Sequence, residues 1–189
     1  MATMDATKVG IGAASVTGAI FVAPKGTTLP TDATTALGGT FKLLGFTSDA
    51  GVTISESTSK NDLRAWEGRT IVVSPTVEYT ENVSFMPIQC NDDVAKLIWG
   101  DDNVTVGTGG ALTVKHHGKT MDPVCIVIET TPRTGIVKRY CGTFQLTERG
   151  EHVMDGTQVE GRQLTFTAIA DSSGYTMYEY TAFVAGSSS

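Results

Sequence analysis

Residues 70–100, TIVVSPTVEYTENVSFMPIQCNDDVAKLIWG, decide the fold. The first part is rich in Val, Ile, Thr, Tyr and Phe, which suit a pleated, half-buried surface. Ile71, Val73, Pro75, Val77 and Tyr79 fall at period two. A slip is expected near Glu81-Asn82, after which Val83 and Phe85 continue on alternate positions. The pattern predicts two strands, or one long strand with a bulge. Pro75 and Pro87 cannot donate to a ladder, so each belongs at an edge, a bend or a strand end. The period then changes. Asn91 or Asp92 suits an N-cap, Asp93 places negative charge in the first turn, and Val94, Leu97 and Ile98 form one apolar stripe. Gly100 stands where a left-handed C-cap belongs. A helix over 91–99 is too short to persist alone, so its stripe must pack on a sheet.

The rest of the chain supplies strands. Apolar runs at 41–46, 52–55, 111–117, 124–129, 136–140, 143–146, 163–170 and 175–183 are separated by turn residues. An interruption is expected at Cys141-Gly142, and Asp171-Ser172-Ser173-Gly174 reads as a hairpin turn. With charged residues at only 18% and 21 glycines in 189 residues, a mainly β domain is predicted. Its form is a β-sandwich or partly closed barrel flanked by one short helix. Residues 1–37 read as an N-terminal arm, 38–184 as a single domain and 185–189 as a loose tail. Residues 56–68, ESTSKNDLRAWEG, read as a long polar loop.

Chemistry is sparse. His116 and His117 are adjacent, and neighbours on a strand point to opposite faces, which disfavours a shared metal ion. His152 lacks a visible base partner and reads as a surface-loop residue. Asp92-Asp93 and Asp101-Asp102 are explained by capping and a turn. No phosphate loop and no nucleophile elbow is present. Neither catalytic nor metal residues, and no cofactor, are expected. Three cysteines without regular spacing suggest reduced, mostly buried thiols. No export signal or membrane anchor is expected.

Two stretches ask for partners. Ile20, Phe21 and Val22 form an apolar patch in the small-residue arm, free either to dock on a neighbour or to pack on their own domain. Leu63 and Trp66 are the large apolar residues of the 56–68 loop and suit anchors. The formal charge of −6 argues against a protein that grips nucleic acid by its phosphates.

Residues 17–37, TGAIFVAPKGTTLPTDATTAL, resemble the N-terminal stretch of phage major tail proteins, the tail tube proteins of long-tailed phages. So do 44–53, LGFTSDAGVT, and 95–104, AKLIWGDDNV. The resemblance implies a structural virion protein whose copies, typically six, form rings that stack into a hollow conduit for DNA delivery. It implies assembly in the bacterial cytoplasm, and tape measure, tail terminator and distal tail proteins as partners. DNA would pass without specific binding, which an acidic subunit suits. The extended stretch 70–86 is the candidate lumen strand, with Glu78 and Glu81 facing the bore. Two other readings fit a β-rich chain: an adhesion or carbohydrate-binding module, and the tube protein of a contractile tail or secretion system.

Overall fold

The decisive stretch folds as two strands, parted at Ser74-Pro75, followed by the expected helix. In the computed structural model, residues 12–14, 18–131, 136–154 and 156–183 are described. Expectations for residues 1–11, 15–17 and 184–189 lie outside them. In chain order the elements are β1 (Ile20–Pro24), β2 (Lys42–Leu43), β3 (Thr47–Lys60), β4 (Leu63–Arg64), β5 (Ile71–Val73), β6 (Thr76–Pro87), α1 (Asp92–Trp99), β7 (Val104–Val106), β8 (Leu112–Val114), β9 (Val124–Thr130), β10 (Ile136–Val153), β11 (Gly161–Ile169) and β12 (Met177–Phe183).

One large antiparallel sheet has the order β2-β1-β9-β10-β11-β6-β3, with β12 on β10. Its two end strands are separated by only Leu44, Gly45 and Phe46, a link that spans at most about 14 Å. Leu44 N–H donates to Ile20 O at 2.9 Å, and Ile88 N–H donates to Phe46 O at 3.0 Å. The sheet therefore curls until its edges are joined, which selects the partly closed barrel over the sandwich.

The interior is filled from every wall. Ile20, Leu44, Val83, Phe85, Ile126, Phe144, Leu164 and Phe166 are fully buried. Phe85 and Phe166 stack with ring centroids 5.4 Å apart. Each such side chain contributes roughly 1.5–3 kcal/mol by leaving water. Helix α1 adds Val94, Leu97 and Ile98 at one end. Its N-cap is Asn91, whose Oδ1 accepts from Val94 N–H at 2.7 Å. Gly100 ends it at φ 85°, where a Cβ is strained.

Several expectations are corrected. No slip occurs at Glu81-Asn82: β6 keeps its alternation, and Glu81 takes an inward position between Tyr79 and Val83. It is 5% exposed and accepts from Thr176 Oγ1 at 2.6 Å. Strand β10 runs unbroken through Cys141-Gly142 to Val153, so His152 lies on a strand, its Nε2 3.0 Å from Glu160 Oε1. The 171–174 turn joins no hairpin. β11 and β12 both pair with β10, end to end along one edge, opposite residues 143–153 and 136–142. Residues 170–176 loop out between them. Gly142 lies beneath that excursion, where a Cβ would stand 2.8 Å from Thr176 O.

The segment after β1 is a strap across the outer face of β9 and β10. Arg139, 3% exposed, donates to Asp32 O at 2.7 Å, to Thr35 O at 2.9 Å and to Glu129 Oε1 at 2.6 Å. Asp32 Oδ1 accepts from the Thr34 and Thr35 amides at 2.7 and 2.6 Å. These bonds hold its carboxyl well below the usual range; the largest cause is Thr35 Oγ1–H. Cys125 and Cys141 are buried, with Sγ 3.6 Å from Thr27 O and 3.7 Å from Pro30 O of the strap. Desolvation pushes the Cys141 thiol up to about 11.

Candidate assembly surfaces

The residues expected to meet partners divide sharply. Ile20 and Val22 are 0% and 9% exposed within the barrel, so they serve the chain's own core, and only Phe21 of that patch remains half-buried. β1 is an integral strand between β2 and β9 because its odd and even faces both meet apolar neighbours. The alternative in which this patch packs on its own domain is the one found. Glu81 is turned inward, so it cannot line a bore, whereas Glu78 is exposed.

Leu63 and Trp66 stand at the far end of a projecting hairpin. The 56–68 stretch is not a loop: residues 56–60 continue β3 and pair with β6, from Glu56↔Glu81 to Lys60↔Thr76. β4 and β5 carry the ladder on, Ala65 N–H donates to Thr70 O at 2.9 Å, and Trp66 to Arg69 make the tip. The last pair that β6 shares with β11 is Asn82↔Thr167, so the hairpin leaves the barrel there. The tip then lies about 35 Å beyond, at roughly 3.3 Å per residue. The strand signal was hidden by Ser55, Ser57, Thr58 and Ser59, polar on both faces because this half of β3 buries neither.

The arm is amphipathic nonetheless. Thr76, Glu78 and Thr80 mark one face of β6; Val77 and Tyr79 mark the other. Leu63, Trp66, Ile71, Val72, Val73 and Val77 are 50–95% exposed, Trp66 the most. An isolated two-stranded ribbon is marginal in water, and a contiguous apolar surface of this kind marks an interaction site. The signal for Ile71, Val73, Val77 and Tyr79 is present in the sequence as period two, which predicts a half-buried strand and does not distinguish it from this exposed one.

At the opposite end of the barrel Arg149 and Arg162 converge on Trp99. Helix α1 leads from Pro87 into a site where Trp99 is stacked between two cations or potential cations. His116 lies 3.9 Å from its ring centroid at 5°, and the Arg149 guanidinium 4.8 Å away. Arg162 is 5.8 Å from the same ring. Arg149 Nε–H donates to Ile98 O at 3.0 Å and so caps the helix C-terminus, while its Nη2 is buried with no hydrogen-bond partner. Desolvation, and secondly the charge of Arg162, lower its pKa. His117 Nε2–H donates to Trp99 O at 2.7 Å. All three histidines thus serve this end of the barrel: two hold Trp99, and His152 pairs with Glu160. A cavity of about 280 Å³ beside the helix is lined by Ile88, Val94, Leu112, His152, Glu160 and Arg162, among others, and Cys90 opens onto it, exposed.

A second cavity, about 460 Å³, opens at the arm end between Ile20, Phe46, Val52, Ile54, Ile128 and Tyr140. Among the described residues no group of three or more His, Cys, Asp or Glu is placed to hold a metal ion. No helix of the described residues is long and apolar enough to cross a membrane.

A chain from the tail of an empty gene transfer agent particle, refined with C6 symmetry, is 13% identical over 88% of this chain and 95% of that one, with a TM-score of 0.44. A chain from the virion of a native gene transfer agent particle is 10% identical over 86% and 95%, with a TM-score of 0.42. Among curated proteins no significant match to the chain is found. A family model described as phage tail tube protein matches residues 2–182, and the chain belongs to that family: it is a structural component of a virion tail, not an enzyme.

Proposed function

We propose that copies of this chain close into rings, six to a ring as the family resemblance suggests, and that the rings stack into a tube through which DNA travels. The observation that carries this reading is the arm. Its Leu63, Trp66, Ile71, Val72 and Val73 are exposed, with no face among the described residues to cover them. A neighbouring copy supplies one. Contacts between rings are heterologous, so the same arm is used at every level and the stack stays open-ended. The charge of −6 per chain supports a bore that does not hold a polyanion. Exposed Glu78 remains a candidate for facing it. Tape measure, tail terminator and distal tail proteins are the partners expected at the ends and within the tube.

Negative-stain microscopy of concentrated protein tests the reading. Tubes of uniform diameter with six-fold end views are expected. Deletion of residues 61–74 with a short turn in their place is expected to leave a folded monomer that forms no tubes. A full-length chain that stays monomeric at every concentration, with or without tube seeds, overturns it.

A further inference from the structure

We propose that the arm tip, Trp66 with Glu67, seats in the cavity beside helix α1 of a second copy of this chain. The inference rests on the tube reading and names the socket that reading leaves open. Three observations carry it.

The first is position. The arm departs past the Asn82↔Thr167 pair, at one end of the β6 and β11 strands. The cavity is walled by Pro87, Ile88, Gly161 and Arg162, at the other end of the same strands. Plug and socket on opposite ends of one subunit give a head-to-tail contact that repeats without closing, as a stack requires.

The second is shape and polarity. Trp66 is 95% exposed as the first residue of the four-residue turn, and Leu63 is 52% exposed three residues before it. The cavity of about 280 Å³ is walled by Ile88, Val94, Ile98, Leu112 and Val114. A wide indole gains most from such a recess, and interface anchors are enriched in Trp for that reason.

The third is charge. Asp62 is engaged within the tip, by Ser74 Oγ–H at 2.6 Å and by Arg64 at 3.7 Å. Glu67, next to the indole, has no ion pair among the described residues. Across the gap, Arg162 lines the cavity and likewise has no ion pair among the described residues. A carboxylate arriving with Trp66 meets the Arg162 guanidinium on the cavity wall, where the neighbouring Glu160 is already engaged by His152 at 3.0 Å. The bidentate geometry of Arg suits that pairing.

Cys90 makes the test direct, because it is exposed on the cavity while Cys125 and Cys141 are buried. Tubes of the Trp66→Cys variant are oxidised and run under denaturing, non-reducing conditions. Each chain then carries one thiol at the tip and one at the socket. Head-to-tail seating yields a ladder of covalent oligomers that vanishes when Cys90→Ala is added. Tip-to-tip contact stops at dimers, and tips docked elsewhere give monomers; either result from intact tubes overturns the proposal. Should Trp66→Cys form no tubes alone, it is doped into an excess of unmodified chain, and mass spectrometry seeks a peptide linked between positions 66 and 90. Its absence overturns the proposal. Failure of the unmodified chain to form tubes counts against the tube reading, whereas tubes without the 66–90 link count against this socket alone.

Discussion

Strand β6 runs through two environments without changing its pattern. In the barrel half, Val83 and Phe85 on the odd face of β6 are fully buried. In the arm half the same face carries Val77 and Tyr79, which are 66% and 46% exposed. Neither alternation nor β propensity differs between the halves. What differs is whether a third strand and an opposing wall exist: β11 pairs with β6 from Asn82 to Phe85, and among the described residues no strand other than β3 pairs with it beyond. An apolar stripe specifies that a face will be covered, and the topology decides by whom. In the barrel the cover is the chain itself; in the arm it is left to another molecule.

The sharpest way to break this comparison is to substitute an aromatic in each half. Phe85→Ala opens a cavity in the barrel and is expected to cost about 3–5 kcal/mol. Trp66→Ala is expected to change fold stability by no more than about 0.5 kcal/mol, as for other exposed sites. It is nevertheless expected to abolish or strongly slow tube formation. Urea denaturation reads the first quantity and light scattering the second. Equal losses of stability would show that the arm is part of the core.

Next in size is Arg139→Met. It frees the strap and leaves Glu129 unpaired, with an expected loss of about 3 kcal/mol, the lower end for breaking a buried ion pair because Glu129 stays partly hydrated. The expected signature is a large gain in reaction of Cys125 and Cys141 with a thiol reagent. In the unmodified chain only Cys90 reacts at neutral pH, since the other two are buried and the Cys141 thiol is pushed up to about 11. The sign of the linkage follows. The folded thiol loses its proton later than the unfolded one, so Cys141 favours the fold below the ordinary thiol value, and that contribution fades as pH climbs toward 11. For Asp32 the direction is reversed. Its depressed carboxyl supports the strap above the ordinary carboxylate range and is lost only in strong acid. Denaturation midpoints measured across pH check both signs. The smallest effect is Asn91→Ala, which removes the cap on Val94 N–H and is expected to cost about 1 kcal/mol.

Local signals were legible where their partners were local. The helix at Asp92–Trp99, with Asn91 and Gly100 at its ends, could be read because capping is decided within a few residues. The β-rich barrel could be read from period two and turn spacing. Glu81 could not: a carboxylate on a strand implies an outward face, and its partner Thr176 is 95 residues away. The 171–174 turn reads as a hairpin because a turn between two strands usually is one. Only β10, by spanning both β11 and β12, makes it an excursion instead. The arm was missed as a strand because Ser and Thr at 55–59 bury neither face. The cluster around Trp99 joins residues at 99, 116, 149 and 162, separations that no spacing rule connects.

The central claim is that the arm's apolar face is covered by another copy and not by its own chain. Hydrogen exchange over residues 56–80, compared between monomer and assembled tube, tests it most directly. In the monomer these amides are expected to exchange far faster than those of β9 and β10, and in the tube to gain strong protection. Protection that is equally high in the monomer, or unchanged on assembly, would contradict the account.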